Sequence, residues 1–306
     1  MVSIGLIAVR WRGPFISRNG WRRCYSLHKM QKELKNIVNY LNEAYGVDLC
    51  QYDESFLVMS LNKRLQAKGF SSLVDYGKHL QQTTPEATLF LSSLNISYSA
   101  FFRNSLTCAY LEQVVFPMLM EKKRKANNKE VRIWSAACAS GQEAYSMAML
   151  CDEVASADNS SISCHIFATD IDPQQIIKAE KGVYQANELD NVSLRRVNQF
   201  FDRSDQCYAV KPALKSKTHF AVFDLLNERS VSPEISIYGD FDIILCCNVL
   251  FYFTPEMQQR ILKKMELNLA EGGLLITGET EREILKEHHY QEVFVNSAIF
   301  KRTTRQ

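Results

Sequence analysis

The sequence predicts an α/β fold class: a doubly wound, mostly parallel sheet, preceded by a small all-helical N-terminal domain and carrying an inserted antiparallel β subdomain. Three observations predict it. Strand and helix patterns alternate from residue 131 onward, which is the signature of parallel strands joined by crossover helices. Residues 30–92 carry helical periodicity and cap residues without strand patterns. One stretch, 206–226, breaks the alternation with two extended segments around a proline-containing turn. A chain of 306 residues suits two domains of unequal size.

The elements follow in order. Residues 1–29 show no clear period and are expected to be disordered or to precede the true start, because Met30 opens a well-patterned helix. In 31–45, Leu34, Ile37, Val38 and Leu41 share one helical face, and Gly46 ends the run. A second helix is expected over 54–67, before Gly69. Ser72 followed by Asp75 reads as a capping box for a third helix. Thr84-Pro85-Glu86 starts a fourth, with proline in its first turn. Residues 30–92 are therefore the helical domain and 93–306 the sheet domain, with the inserted hairpin placed near 206–223.

A helix over 105–124 opens the larger domain and ends in the basic run "EKKRK", which a helix C-terminus favours. Then come strand "VRIWSAA", helix "GQEAYSMAMLCDEVA", strand "ISCHIFATD", helix "PQQIIKAEKG", buried strand "FDIILCCNVL", helix "TPEMQQRILKKMELNLA" and strand "GGLLITGET". The end, "QEVFVNSAIFKR", adds an antiparallel edge.

Composition excludes several classes. Apolar residues make up 46% and charged residues 23%, a folded composition. A formal net charge of +2 implies no strongly basic face, so no nucleic-acid partner is expected. No apolar run approaches the roughly 20 residues needed to span a bilayer. The apolar start "MVSIGLIA" lacks the preceding basic residues of a secretory signal, so no membrane insertion and a cytoplasmic location are expected. Nine cysteines with no C-x-x-C pair read as reduced thiols, and no metal site is expected.

In an open parallel sheet, ligands bind beyond the carboxyl ends of the strands. Here the first strand–helix turn is "SAACASGQEAYS", whose small residues admit a ligand and whose Gly141 opens a helix. It lacks G-x-G-x-x-G, so a dinucleotide pyrophosphate is not favoured. Asp170 ends the second strand, where an acidic residue can meet ribose hydroxyls, while Asp172 before Pro173 better fills the helix cap. Glu143, in the first helical turn, can meet an ammonium or ribose group. Together they favour a nucleoside ligand without a pyrophosphate, a description that S-adenosyl-L-methionine fits.

The segments "ISYSAFFRN" (96–104), "VRIWSAACASGQEAYSMAM" (131–149), "FATDID" (167–172), "KGVY" (181–184), "FDLLN" (223–227) and "CNVLFYF" (247–253) occur in the order seen in another group of proteins. From about residue 31 to 302 the chain resembles the CheR-type chemotaxis receptor methyltransferases. The resemblance implies the S-adenosylmethionine methyltransferase type of sheet, and an O-methyltransferase that forms methyl esters on glutamate side chains of receptor cytoplasmic helices. It also implies a receptor tail as a partner at the β subdomain. Ser97, Ser99 and Arg103 match the family's "T-x-F-F-R" segment beside the cofactor and site. Glu143 matches the second glutamate of "G-E-E-P-Y-S", and Asp170 the ribose-side aspartate. Asp224 and Leu225 occupy the Asn-Leu position beside the adenine. Cys247, Asn248 and Tyr252 fall on the family's "C-R-N-V-x-I-Y-F". Arg103 and Tyr252 are the expected catalytic pair, Arg103 orienting a carboxylate by its planar fork and Tyr252 hydrogen-bonding near the sulfonium or the nucleophile.

The departures from the family pattern are Gln142, Ala144, Cys247, Asp224 and the segment "GETE" (278–281) in place of "G-H-S-E". In the helical domain, Val58, Met59 and Ser60 replace a basic cluster thought to meet acidic receptor helices, leaving Lys63 and Arg64. Two other readings stand beside the first: a non-catalytic S-adenosylmethionine-binding signalling module, and a methyltransferase of small molecules.

Overall fold

The computed structural model describes residues 20–94, 98–158, 161–236 and 239–303, with side chains from residue 31 onward. The chain divides into two compact units: a helical one ending at Leu94, and a larger one holding Gln51–Glu54 and everything from Asn95.

The helical unit contains α1 (Gly20–Tyr45), α2 (Glu54–Ala67), α3 (Leu73–Gln82) and α4 (Thr84–Leu94). The first helix starts at Gly20, earlier than the pattern opened by Met30; residues 1–19 lie outside the described residues. Leu34, Ile37, Val38 and Leu41 are buried together on its inner face. Ser72 caps α3 by accepting a hydrogen bond from the Val74 amide at 3.1 Å. Among the described residues the core of the unit holds one carboxylate, Glu86, only 1% exposed. Arg64 grips both of its oxygens at 2.8 Å, Lys68 reaches it at 3.1 Å, and the Tyr76 hydroxyl donates to it at 2.9 Å. Arg64, read as a remnant of a receptor-facing cluster, is thus committed to an internal ion pair, whereas Lys63 is exposed.

The larger unit opens with α5 (Ser105–Tyr110) and α6 (Phe116–Lys125), made continuous by a π-helical turn over Leu111–Val115. Next come β1 (Glu130–Ser135), α7 (Gln142–Ala157), β2 (Ser163–Asp170), α8 (Pro173–Lys181), β3 (Val183–Gln185) and α9 (Leu194–Phe200). Then follow β4 (Phe201–Ser204), β5 (Cys207–Val210), α10 (Pro212–Lys215), β6 (Thr218–Val222) and β7 (Phe241–Cys246). The unit closes with α11 (Pro255–Asn268), β8 (Leu269–Thr277), α12 (Arg282–Glu287), β9 (Tyr290–Glu292) and β10 (Ile299–Arg302).

Seven strands form one sheet in the order β6-β2-β1-β7-β8-β10-β9. The first five run parallel, and β10 pairs antiparallel with both β8 and β9. One apolar layer packs α5–α7 against the sheet and includes Phe101, Met147, Ile166 and Ile243. Another, around Trp134, Phe241, Ile261 and Leu275, lies under α11 and α12. Because β2 and β7 leave β1 on opposite sides, strand order reverses there and a crevice opens beyond the carboxyl ends.

The inserted subdomain is a three-stranded antiparallel sheet, β3-β5-β4, and its location corrects the expectation of a hairpin near 206–223. The hairpin joins 201–204 to 207–210 through Asp205, whose φ is 50°. Pro212 starts α10 instead of turning a hairpin, and Thr218–Val222 joins β2 as a parallel edge strand of the main sheet. A second correction concerns the thiols. Cys151 on α7 and Cys164 on β2 form a disulfide, because the helix packs on the strand and brings them to a Cα separation of 6.4 Å. No helix among the described residues is long and apolar enough to cross a membrane.

Candidate active site

The turn after β1 is built from hydrogen bonds that leave its inner rim open. The Cys138 amide donates to the Thr169 carbonyl at 2.8 Å, and the Ala139 amide to the Asp170 carboxylate at 2.8 Å. Ala139 takes a left-handed φ of 45°. Gly141 has φ 92°, and a Cβ there would stand 2.9 Å from the Ala179 Cβ, so glycine alone suits the turn into α7. One turn on, Glu143 accepts a 2.6 Å bond from the Ser135 hydroxyl. The Cys247 thiol, at the position where the family has arginine, lies near this carboxylate and donates to the Ile276 carbonyl at 3.7 Å. Burial raises the Glu143 pKa above the ordinary carboxylate value, while Ser135, Cys247 and Arg103 pull the other way.

Arg103 arrives on the strained segment before α5. Phe102 has φ 48°, its amide donates to Ser146 Oγ at 3.1 Å, and the Arg196 guanidinium lies 4.5 Å from its ring centroid. This fixes the direction of Arg103, whose own guanidinium is exposed, lies 5.2 Å from the Tyr98 ring centroid and donates to the Tyr98 carbonyl at 3.4 Å. The neighbouring Asn104 caps α5 through its Oδ1.

These residues surround a cavity of about 240 Å³. Ser99, Arg103, Glu143, Cys247 and Asn248 all line it. The other expected residues do not. Asp170 ends β2 and is 9% exposed, accepting from the Ala139 and Asp172 amides at 2.8 and 3.0 Å. Burial raises its pKa against those two amides. The Phe223 amide donates to the Asp170 carbonyl at 2.9 Å, which ties the next loop to the same edge of the sheet. There Asp224 folds back on the Leu226 amide at 2.8 Å, and Leu225 faces a different cavity beside α11. Tyr252 lies beyond the rim; burial raises its pKa, with Arg103 lowering it and Glu281 raising it. Ser97 lies outside the described residues. Of the four site-segment phenylalanines, Phe101 and Phe102 are buried, Phe253 is half-buried against Tyr52, and Phe251 is 38% exposed.

Sequence reasoning missed three residues here. Asn104 Nδ2 and Thr277 Oγ1 are buried without a hydrogen-bond partner, and both residues line the cavity. Glu281 is fully buried and takes hydrogen bonds from four backbone amides. Its place in "GETE" was the only signal available.

The donor set fits S-adenosylmethionine. Carboxylate Glu143 suits an ammonium, and Arg103, Asn104 and Thr277 offer donors to a carboxylate. Asp170 stands at the strand end where ribose hydroxyls are met. Unpaired buried groups in a native protein call for a partner, and a polar ligand in the cavity provides it.

Comparison with known proteins agrees. Residues 97–299 match the family described as CheR methyltransferase, SAM binding domain, and residues 32–94 match CheR methyltransferase, all-alpha domain. The chemotaxis protein methyltransferase 1 of Pseudomonas aeruginosa is 30% identical over 269 residues, covering 86% of this chain and 94% of the relative. The chemotaxis protein methyltransferase of Escherichia coli is 31% identical over 257 residues, covering 81% and 83%. That of Listeria monocytogenes is 28% identical over 274 residues, covering 90% and 98%. With its sheet domain and its helical domain both matched, the chain belongs to the CheR methyltransferase family.

Proposed function

We propose that this protein transfers a methyl group from S-adenosylmethionine to glutamate side chains on the cytoplasmic helices of a chemotaxis receptor, forming methyl esters. The observation that carries the reading is the cavity in which an exposed guanidinium, Arg103, and a partly buried carboxylate, Glu143, line the same walls. One end suits an anion and the other a cation, as a zwitterionic donor and an anionic acceptor require.

An acceptor glutamate has an ordinary pKa of about 4.3 and is already ionised near neutral pH, so no base is needed to generate the nucleophile. Bound S-adenosylmethionine supplies an electrophilic methyl whose C–S bond breaks as the acceptor's oxygen forms the new C–O bond. The protein's work is therefore to position and to exclude water. Arg103, held against Tyr98, orients the carboxylate bidentately. Glu143, kept in place by Ser135, anchors the cationic amino group. Asp170 holds the ribose side, and Asp224 and Leu225 the adenine side. Tyr252, close enough to Arg103 to feel its charge, hydrogen-bonds at the reacting groups. Gln142, a departure from the family, is absorbed structurally: its Oε1 accepts from Ser140 at 2.8 Å and its Nε2 faces Glu188 at 3.4 Å.

The β subdomain offers the unpaired edges of β3 and β4 for strand addition by a receptor tail. A cytoplasmic location accords with such a substrate. The test is methylation of a receptor cytoplasmic fragment with methyl-labelled donor, followed by alkali. Volatile labelled methanol is expected with the wild-type protein and is lost with Arg103→Ala; label that withstands alkali would refute ester formation.

A further inference from the structure

The loop that follows β7 reaches the cavity through Asn248, which adopts a left-handed φ of 58°. Asparagine tolerates that conformation better than most residues, but nothing in the loop's own sequence enforces it. The enforcement comes from 33 residues away. Glu281 Oε2 accepts the Asn248 amide at 2.7 Å, and Oε1 accepts the Val249 and Leu250 amides at 2.7 Å each. Three successive backbone N–H groups form an anion-binding nest, and a carboxylate from the protein's own chain fills it. Oε2 also takes the Gly278 amide at 2.8 Å, so one side chain staples the turn after β8 to the loop after β7. Glu281 is 0% exposed, and no Lys, Arg or His among the described residues forms an ion pair with it.

Gly278 completes the arrangement. A Cβ there would fall 2.4 Å from Asn248 Nδ2 and 3.0 Å from Glu281 Oε2. The Asn248 side chain therefore occupies the space that glycine leaves, and both residues face the cavity.

We infer that Glu281 is a positioning residue for the methyl-transfer site: it sets the left-handed turn at Asn248 and so places the Asn248 carboxamide in the ligand cavity. The inference rests on the reading of that cavity as the S-adenosylmethionine site. Glutamine at 281 keeps one acceptor oxygen but turns an NH₂ toward amides that also donate, so the nest loses part of its filling without losing volume.

A purely structural Glu281 and a positioning Glu281 make different claims about ligand binding. Groups that act through one another are non-additive, whereas independent groups add. The experiment is a double-mutant cycle read by calorimetric titration of the full chain with S-adenosylhomocysteine, with circular dichroism to confirm folding. Asn248→Ala is expected to weaken binding about tenfold in the wild-type background and less than about twofold in the Glu281→Gln background. An equal loss from Asn248→Ala in both backgrounds overturns the inference. If Glu281→Gln does not fold, Gly278→Ala takes its place, because its added methyl displaces the Asn248 side chain directly. Its loss of affinity is then expected to vanish when Asn248→Ala is present, and a loss that persists unchanged overturns the inference. Binding by the wild type with additive losses refutes Glu281's role alone. Absence of binding by the wild type refutes the cofactor site and this inference together.

Discussion

Among the described residues two glutamates are buried, one in each unit, and they are satisfied in opposite ways. Glu86 in the helical unit meets two cations and a phenol: Arg64, Lys68 and Tyr76. Burial alone would raise its pKa, but these three partners together carry it below the ordinary value. Glu281 in the sheet unit meets backbone amides only, and burial keeps its pKa above the ordinary value despite them. The first is a closed ionic cluster with its charge cancelled where it sits. The second leaves negative charge within electrostatic range of Glu143, another carboxylate with a raised pKa. A cationic ligand has no use for the first arrangement and is drawn to the second.

Removing each carboxylate separates the two cases. Glu281→Ala leaves four amides without their acceptor, two buried and two part-buried, at about 1–3 kcal/mol for each buried one and less for the others, so a destabilisation of about 4 kcal/mol is expected in urea unfolding. A loss under about 1 kcal/mol would show that the amides find other partners. Glu86→Ala strands Arg64 against the core of the helical unit and is expected to cost about 3 kcal/mol. It leaves S-adenosylhomocysteine affinity unchanged in a calorimetric titration. An affinity loss above about threefold would break the contrast between a structural and a functional carboxylate.

The pH dependence carries the same contrast in sign. Glu86, with its pKa lowered on folding, contributes stability that is present above the unfolded value of about 4.3 and lost as pH falls through its folded pKa. Glu281, with its pKa raised, contributes stability that is present below about 4.3 and lost as pH rises through its folded pKa. Urea midpoints across the acid range should therefore lose their low-pH decline in Glu86→Gln. They should lose a decline on the opposite side in Glu281→Gln. Changes of the same sign in both variants would contradict the assignment. The smallest effect is expected at Cys247, which lines the cavity and donates to the Ile276 carbonyl: serine keeps a donor there, so Cys247→Ser should shift S-adenosylhomocysteine affinity by less than about threefold, as one neutral donor replaces another.

Much of the architecture was legible because it is written in local patterns. The spacing of Leu34, Ile37, Val38 and Leu41 dictates a buried helical face. Ser72 and Asp172 mark helix starts with their own side chains. The run 241–246, apolar except for Asp242, reads as an inner parallel strand and is one. The hairpin was misplaced because β4 contains Asp202, Arg203 and Ser204, all exposed, with nothing to distinguish them from a loop. Thr218–Val222 meanwhile reads as extended whichever sheet it joins. Within the site, Glu143, Arg103 and Asn248 could be named from short motifs. The Glu281 staple could not, since its partners are backbone amides, which no side-chain pattern announces. Nor could the Cys151–Cys164 pair, which depends on how a helix packs on a strand.

The most direct measurement is calorimetric titration of the wild-type protein, Glu143→Gln and Asp170→Ala with S-adenosylhomocysteine. Binding in the micromolar range by the wild type, weakened at least about tenfold in each variant, is the expected result. Wild-type protein that releases no heat, or variants that bind as tightly as the wild type, would contradict the claim that these carboxylates hold the methyl donor.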